Sequence, residues 1–175
     1  MTGPAPRPAA ILIGPPGAGK TTVGELLAAR LGVPFTDTDS VIEEMAGKPV
    51  SDIFVQDGEA AFRALEQETA ARLIGTEPGV LALGGGAPLD PATRQLLAGQ
   101  RVIYLETGFR TVVHRSGLDG PHPPIPGNPR GRLKQMLDER HPVYAELAWR
   151  TVATDDCEPG DLAGLLAAEL GAQPP

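Results

Sequence analysis

Apolar residues in this chain fall into short, partly β-branched runs separated by longer stretches of helical spacing. Residues 9–13 are such a run and predict a buried strand. In residues 22–31, Val23, Leu26, Leu27 and Leu31 sit at i, i+3, i+4 and i+8, one face of a helix that Gly32 stops. Residues 33–37 predict a second strand and 41–45 a helix. Ser51 is placed to cap a short helix carrying Ile53 and Phe54, which Asp57-Gly58 breaks. Residues 59–74 predict a longer helix with Phe62, Leu65, Thr69 and Leu73 on its apolar face. Three further strands are expected at 80–83, 101–105 and 151–154. Asp90 caps a helix that has Pro91 at its first position, another runs from about Phe109 to Arg115, and a third begins at Leu133. Residues 161–170 close the chain as an amphipathic helix. Strands and helices alternate, so a parallel sheet with helices on both faces, the three-layer α/β/α class, is the economical fold.

The chain has 175 residues, the size of one compact domain. Its net charge of −7 argues against a general nucleic-acid partner, which calls for a basic surface. Cys157 stands alone, so no intrachain disulfide can form, which fits a reducing cytosol. Its acidic neighbours Asp155, Asp156 and Glu158 disfavour a thiolate, and it reads as incidental. Residues 1–8 are Pro-rich without the apolar core of a signal peptide. No run approaches the ~20 apolar residues of a membrane span. His114, His122 and His141 are scattered, without the spacing of a zinc site. A single cytoplasmic domain, acting as a monomer, is expected.

Between the first strand and the first helix lies Gly14-Pro-Pro-Gly-Ala-Gly-Lys20-Thr21, an uninterrupted G-x-x-x-x-G-K-[ST]. That context turns a Gly-rich turn into a phosphate site. Gly17, Ala18, Gly19, Lys20, Thr21 and Thr22 can curl backbone N–H groups around a phosphate at the positive end of a helix. Lys20 can reach the outer phosphates, and the Thr21 hydroxyl can ligate Mg²⁺. The motif specifies a nucleoside triphosphate, not what is done with it.

Asp37 and Asp39 lie at a strand's C-terminal end, the edge where open α/β sheets bind ligands. One can serve the Mg²⁺ shell and the other a substrate hydroxyl, although an Asp there is also a common helix cap. Arg63 lies off the apolar face of its helix, free to pair with Glu59 or to serve a ligand. Gly84-Gly-Gly86 permits close backbone approach to a ligand, or is simply a flexible loop. Residues 117–129 are dense in Pro and Gly, the composition of a lid, a binding loop or disorder. Arg130 and Arg132 border that stretch.

The P-loop, Asp37-Thr-Asp39, Asp52-Ile-Phe54, Asp57-Gly-Glu59 with Phe62-Arg63, Leu83-Gly-Gly-Gly86 and Arg140 followed by Pro142 and Tyr144 together resemble shikimate kinase. Their order and spacing agree along residues 9–170. The P-loop is generic; the Asp-Thr-Asp, Asp-Gly-Glu-x-x-Phe-Arg and Gly-Gly-Gly set is specific. The resemblance implies a nucleoside-monophosphate-kinase-like P-loop fold with a five-stranded parallel sheet. Residues 39–75 would form the substrate-binding helices and 113–129 the lid. It also implies transfer of the ATP γ-phosphate to the 3-hydroxyl of shikimate, with Mg²⁺.

Position by position, it implies that Arg63 and Arg140 bind the shikimate carboxylate, a task that suits forked guanidinium groups. The Gly85 backbone would add a donor. Asp39 would hold the hydroxyls and orient or deprotonate the attacking one, beside Lys20. Asp37 would reach Mg²⁺ through water. Phe54 and Phe62 would wall the ring, unless they are plain core. Glu66 would steady Arg63, and Arg115 would lie against adenine, with the loop near Pro159 on the other side.

Two positions depart from the pattern. The family lid carries Arg-Pro-Leu-Leu where this chain has His122-Pro-Pro-Ile125, so Arg130, Arg132 or a protonated His122 would have to serve the transferring phosphate. Ala82 stands where Ser is frequent. A kinase for a related cyclic polyol or hydroxy acid, and a weakly active nucleotide-binding protein, therefore remain alternatives to a shikimate kinase.

Overall fold

The computed structural model describes residues 7–119 and 127–171. Five strands form one parallel sheet in the order β2-β3-β1-β4-β5. They are β1 (Ala10–Ile13), β2 (Phe35–Asp37), β3 (Val80–Ala82), β4 (Val102–Glu106) and β5 (Arg150–Ala153). Every residue of β1 and β3 is buried, which is why both read as continuous apolar runs rather than alternating ones. Ile11 of β1 pairs with Leu81 on one side and Val102 on the other. From β1 the chain first fills one flank of the sheet, with β2 and β3, then the other with β4 and β5. The crevice at the strands' C-terminal ends beside that switch point is where this class of sheet binds ligands.

The pleat divides the core. Leu12, Ala82, Leu105 and Val152 face α1 (Lys20–Leu31) and α8 (Pro159–Gly171). Ile11, Ile13, Leu81 and Tyr104 face α4 (Glu59–Thr76), α5 (Pro91–Leu97) and α7 (Pro129–Leu147). A smaller cluster of Ile42, Ile53 and Phe62 ties α2 (Thr38–Ala46) and α3 (Val50–Gln56) to α4. Between β4 and α7 lies α6 (Phe109–Arg115). No described helix is long and apolar enough to cross a membrane.

The helix expected over 41–45 begins at Thr38, and two other helix starts also differ from expectation. Ser51 lies inside α3, whose N-cap is Pro49. The Val50 N–H is instead satisfied by Glu43 Oε1 at 2.9 Å, so a carboxylate from the preceding helix does the capping. The last long helix begins at Pro129 rather than Leu133, capped by Asn128, whose side chain accepts from the Gly131 N–H at 2.8 Å. It also continues through Pro142. Most of α7 is solvent-facing, so apolar spacing did not mark its first turn. Asp90 caps α5 as expected, accepting from the Thr93 N–H at 2.7 Å.

Candidate active site

The phosphate loop joins β1 to α1. Gly17 and Gly19 have φ of 80° and 90°, conformations that side-chain-bearing residues rarely adopt. Lys20 Nζ folds back over the loop and donates to the Gly14 and Pro15 carbonyls at 2.9 and 3.0 Å. Burial pulls the Lys20 pKa down to about 8, against the opposing pull of Asp39 and Asp37. Thr21 Oγ1 donates to Asp37 Oδ2 at 2.9 Å. Asp37 Oδ1 accepts from the Asp39 N–H at 2.9 Å and caps α2. One Asp37 oxygen is thus the helix cap, and the other accepts from the P-loop hydroxyl.

Asp39 is the anomalous carboxylate. Its Oδ1 is buried and has no hydrogen-bond partner among the described residues. Burial, reinforced by Asp37 and Glu66, pushes its pKa up to about 6, while Lys20 pulls the other way. An unsatisfied buried acceptor costs free energy unless a donor arrives.

The three glycines after β3 gather the remaining chemistry. A Cβ on Gly84 would stand 2.6 Å from Asp39 Oδ1 and 2.8 Å from Glu66 Oε1. On Gly85 it would stand 3.4 Å from Arg140 Nη1, and on Gly86 2.7 Å from Arg63 Cζ. Each glycine therefore admits polar side chains against bare backbone, Gly84 two of them, and Asp39, Arg140 and Arg63 share one three-residue wall.

Glu66 Oε2 accepts from Arg63 Nη1 at 2.7 Å, and that carboxylate is only 3% exposed. The Glu59 contact is longer, 3.6 Å, and at the surface, so the buried partner fixes Arg63. The guanidinium also rests near the rings of Phe62 and Phe54, 5.4 and 5.8 Å from their centroids. Phe62 is a buried member of the α2–α3–α4 cluster and Phe54 is half-buried beside it, their ring centroids 4.6 Å apart. They underlie Arg63 as well as packing the core. Arg140 projects from α7, and Tyr144 lies one turn later on the same helix.

Gly17, Ala18, Gly19, Thr22 and Arg115 line a cleft whose far wall is Thr154, Cys157 and Pro159. Arg115 Nη1 donates to the Gly17 carbonyl at 2.8 Å, laying the guanidinium over the loop. An adjoining cleft is lined by Lys20, Thr21, Asp37 and Asp39. Arg130 donates to the Leu118 carbonyl from Nε and Nη2, at 3.1 and 2.9 Å. Arg132 stands near Gly127. His122 and the rest of residues 120–126 of the expected lid lie outside the described residues.

A family model described as shikimate kinase matches residues 16–170. The chain belongs to the shikimate kinase family. A shikimate kinase of Thermobifida fusca is 58% identical over 166 residues, covering 95% of this chain and 96% of that one. One from Salinispora arenicola is 51% identical over 94% of this chain and 99% of its own length. The solved structure of the Acinetobacter baumannii shikimate kinase in complex with shikimate superimposes with a TM-score of 0.85 at 35% identity. It covers 97% of this chain and 96% of that one.

Two buried groups of this shikimate kinase family member had no role in the sequence reading. Thr38 Oγ1 accepts from the Gly84 N–H at 2.9 Å, and Tyr144 Oη donates to the Gly85 carbonyl at 2.6 Å. These contacts span 46 and 59 residues, so local pattern carries no signal of them. Cys157, which reads as incidental, lines the cleft beside the P-loop.

Proposed function

We propose that this chain transfers the γ-phosphate of ATP to the 3-hydroxyl of shikimate, giving shikimate 3-phosphate and ADP. The observation that carries this reading is the buried Asp39 Oδ1, without a hydrogen-bond partner among the described residues and set on the same three-glycine wall as Arg63 and Arg140. A small ring bearing a carboxylate at one end and hydroxyls at the other matches two cationic forks opposite an acid.

Each residue then has a task. Arg63 and Arg140 hold the carboxylate, with the Gly85 backbone as a further donor. Asp39 accepts from the attacking hydroxyl and orients or deprotonates it. Lys20 and the N–H groups of residues 17–22 neutralise the phosphates, and Arg115 lies beside the base, opposite Pro159. Thr21 and Asp37, already joined at 2.9 Å, are the residues that would hold Mg²⁺, which would supply positive charge against the phosphates. Phosphoryl transfer asks mainly for such positioning and charge. Phe54 and Phe62 back the acceptor pocket.

We read residues 1–175 as a single monomeric kinase domain of the cytosol, with 39–75 as acceptor-binding helices and 113–129 as the lid. The deciding assay measures ADP release at saturating MgATP with and without shikimate. No shikimate-dependent release defeats the proposal. His122 in place of the family's lid arginine favours one second reading, a preference for a related cyclic hydroxy acid. A panel of acceptors separates the two, and a large gain in turnover from His122→Arg would identify a catalytically weakened lid.

A further inference from the structure

The triple glycine is pinned at both ends of its peptide plane. The Gly84 N–H goes to Thr38 Oγ1. The Gly84 and Gly86 carbonyls accept from the Ala87 and Leu89 N–H groups, each at 3.0 Å. The Gly85 carbonyl accepts from Tyr144 Oη at 2.6 Å. What the loop has left are the N–H groups of Gly85 and Gly86, which meet no acceptor among the described residues. They lie between Arg140 and Arg63.

Tyr144 reaches this arrangement from α7, the helix that also carries Arg140. It is 1% exposed, and its ring is 5.1 Å from that of Tyr104, so the ring is fixed by packing independently of its hydroxyl. The hydroxyl donates to the Gly85 carbonyl, and Arg140, one helical turn before Tyr144, reaches the same residue: its Nη1 would stand 3.4 Å from a Cβ on Gly85. A peptide is planar, so fixing the Gly85 carbonyl also fixes the N–H of Gly86 on the other side of that bond.

We propose that Tyr144 is a positioning residue for the acceptor carboxylate: its hydroxyl fixes the Gly85–Gly86 peptide beside the Arg140 guanidinium, so that backbone donor and cationic fork present one prearranged anion cradle. The proposal rests on the function read above. It differs from a role in the core, because the ring alone fills the core and the hydroxyl alone orients the cradle.

Tyr144→Phe keeps the ring and removes the hold on the peptide. The expected result is a rise of about tenfold in KM for shikimate, the effect of one buried hydrogen bond. The KM for MgATP and kcat stay within about twofold, as expected when binding common to ground and transition state is removed. In an Arg140→Lys background the same substitution costs less than it does alone, because backbone donor and guanidinium serve one carboxylate. An unchanged shikimate KM, an equal loss for both substrates, or a fully multiplicative double variant overturns the proposal. Should Tyr144→Phe not fold, the ring would not be packed independently of the hydroxyl, and the proposal fails on that ground. Wild-type protein without shikimate-dependent ADP release would instead sink the underlying function, so the two failures are distinguishable.

Discussion

Replacing Gly86 with alanine tests the acceptor site with the least disturbance to the fold. Gly86 has φ −90° and ψ −19°, a conformation open to alanine, so the backbone is not strained. The added methyl would stand 2.7 Å from Arg63 Cζ and 3.1 Å from Nη2, with Nη1 nearer still. The obstacle is thus the far end of a flexible side chain. The guanidinium must retreat by about 1 Å, a displacement that in an active site can cost on the order of a hundredfold. Stability hardly changes: restricting the unfolded chain contributes about 0.4–1 kcal/mol, offsetting a loosened Arg63–Glu66 pair. On the proposed function, the shikimate carboxylate would then lose a charge-assisted hydrogen bond worth about 1.5–3 kcal/mol. The KM for shikimate should therefore rise about 10- to 150-fold at constant KM for MgATP. Steady-state ADP release, with each substrate varied in turn, measures both constants, and a thermal melt checks the fold. A folded Gly86→Ala enzyme with wild-type KM for shikimate would refute the placement of Arg63 against that carboxylate.

Asp39→Asn should lower turnover by about 10²–10⁴, the range for a lost proton acceptor in the transition state. The same variant should be the more stable protein at neutral pH. The folded-state pKa of Asp39, about 6, lies above its ordinary 3.8, so between these values the folded chain holds more protons than the unfolded one. Wild-type stability therefore falls as pH rises through that window, by on the order of 2 kcal/mol, and the asparagine escapes the loss. Melts at pH 4 and pH 7 should show the gap opening only at the higher pH; a gap of equal size at both would contradict the assignment. For activity, kcat/KM should fall below about pH 6 as Asp39 protonates and above about pH 8 as Lys20 loses its charge. A profile flat from pH 5 to 9 would exclude both groups. Thr38→Val leaves the buried Gly84 N–H without its acceptor and should destabilise the fold by about 1–3 kcal/mol, read as a lowered melting temperature.

The sheet was legible because its central strands are buried on both faces and so carry unbroken apolar runs. The phosphate loop was legible because its chemistry is local: glycines, lysine and threonine act within one turn. Where two local partners compete, spacing by itself does not choose, and it was the family resemblance that named Glu66. Arg63 had a sequence-local partner in Glu59 at i,i+4, yet the structure gives the shorter contact to Glu66, at i,i+3. Spacing alone cannot rank the two. Burial can, because the Glu66 carboxylate lies in a low-dielectric interior where the same charge counts for more. Likewise α7 hid its start because its exposed face lacks apolar period, and its cap, Asn128, sits in a Pro/Gly-dense stretch.

The triple glycine shows the same limit from the other side. On composition alone it is either a flexible loop or a site of close approach. Its hydrogen bonds decide against flexibility: the Gly84 N–H and the three carbonyls of Gly84, Gly85 and Gly86 are all engaged. Rigid backbone without side chains is what a crowded polar site requires, since Asp39, Arg140 and Arg63 all approach within what would be contact distance of a Cβ. Any side chain on this run would occupy the volume those groups use. The glycines are therefore there for the space they leave, while Thr38 and Tyr144, drawn from distant parts of the chain, supply the stiffness that glycine by itself lacks.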